Sequence, residues 1–246
     1  MSLLAVLAHP DDESMGTGGL LSRHAAAGVD VHLVCATRGG AGWQGKPPGA
    51  TPEDLPRIRT AELEAAASVL GLAGVHLWDY PDGGVEQSDL SELSRRIAEV
   101  VRTLAPAAVI GWGPDGGYGH PDHIAVGRCT DAAVGSLPEG ERPALYHLAL
   151  DEALAEAYHD VMDLVGAGDG MALVVQPDVG PIVDLTPEEV QVKVKAIDCH
   201  QSQVEDWRVM VKGAPDLLRR VYAHEPYLPV SSGARLLGSR GLLAEF

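Results

Sequence analysis

A chain of 246 residues, 46% of them apolar, is long enough for one sizeable α/β domain with its own core and shows no charge block or low-complexity tract that would keep it disordered. Acidic residues outnumber basic ones by 35 to 18, and the formal net charge of -17 argues against nucleic acid and anionic membranes as partners. Cys35, Cys129 and Cys199 lie far apart with no Cys-x-x-Cys pair, which excludes a disulfide framework and a sulfur-ligated zinc and points to a reducing, cytoplasmic setting.

The first apolar run, Leu3 to Ala8, predicts a buried strand; it stops at Pro10 and three acids, too short for a membrane span, so no membrane insertion is expected. A helix is predicted over Leu20 to Ala27, after a glycine cluster, and a second strand over Val29 to Ala36. Residues 37 to 56, with five glycines and four prolines, predict a mobile loop over the ligand site. Helix Leu55 to Leu70 ends at Gly71, strand Val75 to Trp78 follows, helix Leu90 to Leu104 is capped by Ser88-Asp89, and Ala107 to Trp112 is the fourth strand. Strand and helix alternate with crossovers of the length that makes a parallel sheet covered on both faces, an α/β fold. Beyond residue 124 the pattern gives a helix over Ile124 to Val134, strands over Ala144 to Leu150 and Ala172 to Val175, and a helix over Pro187 to Gln203; Gly166 to Gly170 reads as a loop and Gln176 to Pro181 as a turn-rich connection.

Open parallel sheets bind ligands beyond the carboxyl ends of their strands, and two polar clusters stand at that edge: His9-Pro10-Asp11-Asp12-Glu13 after the first strand and Gly119-His120-Pro121-Asp122-His123 after the fourth. In a tight turn residues i and i+3 can face one point, so His9 and Asp12, joined by a distant His, would hold a divalent cation. Zn2+ is the usual ion for such nitrogen and oxygen donors, and three protein ligands leave a fourth position for water. Asp11 then stands where a carboxylate can take that water's proton as general base. His120 and His123 share the first turn of a helix opened by Pro121: one can ligate while the other, steadied by Asp122, stays protonated over the metal and serves oxyanion and leaving amine. Spacing leaves open which of the two ligates.

Each cluster alone has an ordinary structural explanation, a hydrogen-bonded His after a strand or an Asp-Asp turn and helix cap; the pair at one sheet edge, in the order ligand, base, ligand, favours a site. Glu13 is read as a first-turn acid, as the partner of a ligand His, or as both. His24, His32, His76, His147, His159 and His224 are read as surface or core residues. Two rivals come from other classes. Nucleotide binding is suggested by Gly16-Thr17-Gly18-Gly19, but Leu21 stands where the fingerprint needs its last glycine, so these glycines are read as packing sites. A non-catalytic metal- or sugar-binding module would need neither Asp11 nor His120.

Between the two clusters stand Arg59-Thr60-Ala61-Glu62 and Tyr80-Pro81-Asp82-Gly83, and after them comes Lys195 to Gln203 with its His200-Gln201-Ser202-Gln203 end; in these blocks and the two clusters the chain resembles the LmbE-like (PIG-L) N-acetylglucosaminyl deacetylases. The resemblance implies a Rossmann-like three-layer sandwich with a mostly parallel sheet and its site at the C-terminal edge of the strands. It implies one LmbE-like domain over 1–246, with both metal motifs in 1–135 and the substrate site completed by 136–246. By the same resemblance His9, Asp12 and His123 ligate Zn2+, with Fe2+ as the alternative metal in the cell. Asp11 is the base, His120 the oxyanion partner, Asp122 the residue steadying it, and Arg59 and Asp82 contact sugar hydroxyls. The reaction implied is hydrolysis of the acetyl amide of a small-molecule N-acetylglucosamine conjugate. The chain looks most like the bacillithiol branch, acting on GlcNAc-malate, with mycothiol-type and diacetylchitobiose substrates as alternatives; a homo-oligomer is compatible with it.

Overall fold

The computed structural model describes residues 1–44, 49–165, 173–203 and 214–230. Strand β1 (Ser2–Leu7) is apolar throughout because both of its faces are covered: Leu4 and Val6 enter one core layer, Leu3, Ala5 and Leu7 the other, the alternation of a pleated strand. It pairs in parallel with β2 (Asp30–Thr37) on one side and β4 (Ala108–Trp112) on the other, Leu3 lying opposite Val31 and Ala108. Outside β2 lies β3 (Gly74–Tyr80), and outside β4 lies β5 (Ala144–Leu148), both again parallel. A final strand, β7 (His224–Pro229), runs antiparallel to β5 and carries the short β6 (Ile182–Asp184) beyond it, giving the order β3-β2-β1-β4-β5-β7-β6.

Helices cover both faces, as expected of a three-layer α/β sandwich. Helices α1 (Asp12–Ala26), α2 (Leu55–Leu70) and α7 (Pro187–Ile197) lie over Leu3, Leu33 and Ile110, whereas α3 (Leu90–Leu104) and α5 (Pro121–Gly135) bring Leu93, Ile97 and Val126 onto Leu4, Val34 and Val109. Between β4 and α5 sits a single kinked turn, α4 (Gly116–Gly119). Helices α6 (Glu152–Val165) and α8 (Pro215–Tyr222) meet the end of α7 around Ala157, Val161, Ile197 and Val221. The chain leaves β1 outward through β2 and β3, then returns to lay β4 on the other side of β1. At that switch the loops after β1 and β4 part and open a crevice.

Apart from the first helix, the expected boundaries hold to within two residues through the first half, down to Asp89, whose side chain caps α3 by accepting the N–H groups of Ser91 and Glu92, both at 3.0 Å. The first helix, expected from Leu20, instead begins at Asp12 and contains the glycine cluster. A Cβ on Gly19 would come 2.1 Å from Leu185 Cδ1, so close packing outweighs the ~1 kcal/mol propensity cost of an internal glycine. Strand β5 stops at Leu148 rather than Leu150, and the helix expected to run to Gln203 stops at Ile197, because the following residues turn back to bond Glu13 and Glu62. Leu173 to Val175 form no strand; Gln176 ties this stretch to both backbone groups of Leu150 without a ladder. Ala172, the Gly166 to Gly170 run and residues 45–48 of the long loop lie outside the described residues.

A buried charge network joins the last strand to the helical layer. Glu225 of β7 accepts the N–H groups of Gly19 and Leu20 at 2.9 and 2.8 Å, the Tyr227 hydroxyl at 3.1 Å and the Lys193 ammonium at 2.6 Å. Removing one partner strands a charge from which water is excluded. Glu225→Ala should therefore lose roughly 3–5 kcal/mol in urea unfolding, and adding Lys193→Met should recover most of it; an unchanged midpoint in the single variant would contradict the assignment.

Candidate metal centre and active site

The turn after β1 is strained. Asp11 has φ +111°, a left-handed conformation rare for a residue with a side chain and worth roughly 1–3 kcal/mol of stored strain. Glu13, fully buried, holds it there: one oxygen accepts the Asp11 N–H at 3.0 Å, and the other accepts the Ser14 hydroxyl at 2.6 Å and meets His200 Nε2 at 2.8 Å. Asp12 opens α1 and folds its carboxylate back onto the N–H groups of Ala8 and His9, at 3.1 and 2.9 Å, with the Trp112 indole N–H at 3.4 Å. An anion at a helix N-terminus is further favoured by the macrodipole. Burial opposes charge on Asp12, but the nearby His123, and then His9 with its N–H, hold the Asp12 carboxyl well below the usual range.

After β4, glycines 116, 117 and 119 take positive φ and bend the chain into α5. His120 caps that helix, its Nδ1 accepting the Asp122 N–H at 3.2 Å. One turn on, His123 stacks on the Trp112 ring at 3.9 Å and donates from Nδ1 to the Gly116 carbonyl at 3.0 Å. That bond leaves Nε2 as a bare lone pair in the neutral ring.

The two corners meet. His9 Nε2 faces the carboxylates of Asp82 and Asp122, each at 3.1 Å, so the His9 proton sits on that nitrogen and Nδ1 is left as an acceptor. Nδ1 lies 3.2 Å from His123 Nε2; Asp12 Oδ1 lies 3.4 Å from the same Nε2, and its Oδ2 lies 3.8 Å from His9 Nδ1. With both rings neutral, three acceptors thus converge. Ligands about 2.0–2.1 Å from a tetrahedral ion are about 3.3 Å apart, so the spacing and the chemistry of His9, Asp12 and His123 both fit a bound divalent cation. Without one, burial opposes charge on His9, but its bonds to Asp122 and Asp82 and the Asp12 charge push it up to about 10, a proton taking the cation's place. His120 also offers a nitrogen within 4.8 Å of those of His9 and His123; its Nδ1 is already occupied by the Asp122 N–H, and Asp12 brings the neutralising charge, which favours Asp12 as the third donor.

Asp11 lies beside this trio with one carboxylate oxygen 2.9 Å from Arg59 Nη2. Burial, reinforced by the Asp12 charge, pushes its carboxyl up to about 6 against the pull of Arg59, near the value a general base needs at neutral pH. Arg59, 3% exposed, also donates to the carbonyls of Pro10 and Gly39. Asp82 holds His9 with one oxygen and accepts the Ala41 N–H at 2.7 Å with the other. Both residues expected to meet sugar hydroxyls are therefore engaged in holding Asp11 and His9. Asp122 holds His120 through its backbone N–H. Its carboxylate grips His9, Gly83 N–H and Val85 N–H rather than His120, because a side chain at the second position of α5 points back toward the turn after β3. Burial and the neighbouring His9 and His123 hold the His120 pKa below its ordinary value.

Several participants had no role in the sequence reading. Tyr118 stands edge-on to His120 and His123, with ring centroids at 5.9 and 5.3 Å. The C-terminal block stitches the crevice together: His200 pairs with Glu13, Ser202 donates twice to Glu62, and the Gln203 amide brackets both backbone groups of Trp43. Among these only the His-x-Ser-Gln spacing was visible beforehand, and it did not reveal the partners. Beside the trio opens a chamber of about 450 Å3 whose wall includes Asp11, Asp12, His123, Trp43 and Tyr118.

The sequence of the family described as PIG-L, GlcNAc-PI de-N-acetylase, matches residues 4–134, more than half of the chain. The chain belongs to the PIG-L family. Among its relatives, a 1D-myo-inositol 2-acetamido-2-deoxy-alpha-D-glucopyranoside deacetylase of Kineococcus radiotolerans is 35% identical over 82% of this chain and 68% of its own length. A probable N-acetyl-alpha-D-glucosaminyl L-malate deacetylase 2 of Bacillus anthracis is 38% identical over 60% of this chain and 65% of its own. This PIG-L chain thus spans about two thirds of these relatives. Its fold is shared by an N,N'-diacetylchitobiose deacetylase from Pyrococcus horikoshii, with a TM-score of 0.67, 24% identity, and 93% and 83% of the two chains covered. It is shared equally by GalB, the 4-carboxy-2-hydroxymuconate hydratase from Pseudomonas putida, with a TM-score of 0.68, 23% identity, and 94% and 97% covered. Since a hydratase uses the same scaffold, the site and not the fold must carry the functional argument.

At the chamber's far side His224 bridges Asp151 at 2.6 Å and Asp184 at 3.1 Å. Burial opposes its charge, but the two carboxylates outweigh burial and raise its pKa. A raised histidine stabilises the fold fully below its unfolded value of about 6.5, and the contribution is lost as pH rises through the folded value. Thermal scans between about pH 6 and 9 should show the wild type losing Tm relative to His224→Gln; parallel curves would remove the clasp from the account.

Proposed function

We propose that this chain is a metal-dependent amide hydrolase that removes the acetyl group from a small-molecule N-acetylglucosamine conjugate. The observation that carries the reading is the convergence of three bare acceptors, His9 Nδ1, His123 Nε2 and the Asp12 carboxylate, beside a separate carboxylate, Asp11, whose pKa is pushed up to about 6. A divalent cation held there, Zn2+ being the usual choice for these donors, supplies Lewis acidity and brings the pKa of a water to about 7. Asp11, oriented by Arg59 and by Glu13 through its own N–H, accepts the proton of the attacking water. The neutral His120, whose Nδ1 accepts from Asp122, carries its proton on Nε2 and donates to the oxyanion that develops on the substrate carbonyl. Asp11 then returns its proton to the departing amine nitrogen, so the C–N bond breaks to acetate and free amine. Arg59 and Asp82 act in this reading as positioning residues of Asp11 and His9.

The two relatives' names share the N-acetylglucosaminyl part and differ in the aglycone, inositol in one and malate in the other. A malate conjugate brings two carboxylates toward a chain of net charge -17, and among the described residues the cation beside Asp11 and the one on the chamber wall are already paired, Arg59 with Asp11 and Lys193 with Glu225. This supports the neutral inositol conjugate over the malate conjugate expected from the sequence. The three cysteines are unpaired, which fits a cytoplasmic setting; among the described residues no helix is long and apolar enough to cross a membrane.

Two variants separate the roles. Asp11→Asn should keep its bound metal and lose at least about 100-fold in turnover, the size of a general-base contribution, whereas Asp12→Ala should lose the metal itself. Acetate release from the inositol and malate conjugates, with metal content measured in parallel, checks both. An Asp11→Asn enzyme at near wild-type rate would remove Asp11 as the base, and a faster malate conjugate would reverse the substrate order.

A further inference from the structure

The chamber beside the trio is far larger than an acetyl methyl requires. Its volume of about 450 Å3 is that of a pocket for a drug-sized ligand, and away from the reacting corner its wall is mostly carbon: Met15 of α1, Leu148 and Leu150 at the end of β5, Leu154 of α6, Ile197 of α7 and Val221 of α8. The charged and amide groups on that wall are engaged elsewhere. Lys193 is paired with Glu225, Glu225 also binds two helix N–H groups, His224 sits between Asp151 and Asp184, and Gln203 brackets Trp43. A sugar or inositol ring placed there would give up hydration with few partners in return. An alkyl chain gives up nothing.

Position selects which part of an amide enters. The chamber begins at Asp11, Asp12 and His123, and its apolar wall suits an alkyl group, whereas His120 and Asp82 lie outside that wall; of the two substituents on the reacting carbonyl carbon, the acyl chain therefore enters the chamber and the amine-bearing sugar faces the polar side. Resting on the amide-hydrolase reading above, we propose that this site accepts N-acyl glucosaminides with chains longer than acetyl and prefers them, the alkyl tail lying among Met15, Leu150, Leu154, Ile197 and Val221. The chemistry is unchanged: water adds across the amide, the C–N bond breaks, and a longer alkanoate leaves with the free amine.

The test is kcat/KM for N-acetyl, N-butanoyl and N-hexanoyl glucosaminides with one common aglycone, measured on the metal-loaded enzyme by the appearance of primary amine. A buried methylene is worth about fourfold, so the butanoyl compound, longer by two methylenes, should exceed the acetyl compound by about 16-fold. Met15→Trp, which fills the chamber from its partly exposed side, should lower the hexanoyl-to-acetyl ratio by at least about tenfold. Hydrolysis of the acetyl compound with a steady fall toward hexanoyl would overturn the proposal and leave the deacetylase reading intact. A ratio unmoved by Met15→Trp would equally overturn it. No cleavage of any of the three amides would overturn both.

Discussion

Two imidazole nitrogens and a carboxylate are aimed at one another across the crevice between β1 and β4, and the positive charge that such an arrangement requires comes from a bound cation or, in its place, from a proton on His9. Left bare, that corner would repel itself in a low-dielectric interior. The surrounding bonds nevertheless hold each donor in place. Asp82 and Asp122 fix the tautomer of His9, the Gly116 carbonyl fixes that of His123, and two backbone N–H groups with the Trp112 indole fix Asp12. Partners behind each ligand orient it and raise its basicity. In the proposed reading a bound cation would complete an arrangement whose remaining bonds are already made.

The topology explains why residues more than a hundred positions apart share this point. Placing β4 against β1 brings the turn after each strand to the same edge, and α1 and α5 start there with their N-terminal ends toward the crevice. The strain at Asp11 is part of the same construction. A left-handed residue between Pro10 and the first residue of α1 sends consecutive carboxylates to different tasks, Asp12 toward the histidines and Asp11 toward Arg59 and the chamber. Glu13, anchored by His200 from the far end of the chain, holds that backbone in place. The C-terminal segment thereby supports the reacting corner without touching the ligands.

What was legible in the chain was whatever burial wrote along one element. Strands β1 and β4 are covered on both faces and appear as plain apolar runs, and the clusters His9 to Glu13 and His120 to His123 end them directly, so the meeting of the two corners could be read from order alone. The start of α1 was not legible: the glycines that look like a break are there because Leu185 packs against Gly19, a contact made 166 positions away. Strand β7 was missed since His224-Glu225-Pro226 carries charges and a proline, its polar residues being satisfied by Asp151, Asp184 and Lys193 from other elements. The same limit hid the chamber, whose apolar wall is assembled from single residues of α1, α6, α7, α8 and the end of β5. For Asp122 the sequence located the residue but not its direction, and in its fold the carboxylate turns to His9.

The account stands on the cation. Calorimetric titration of the metal-stripped chain with Zn2+ should show one saturable site per chain, abolished when His9 and His123 are both replaced by alanine, with amidase activity returning in step with occupancy. A stripped chain that binds no ion at this corner, or one that hydrolyses its substrate at full rate with the site empty, would contradict it.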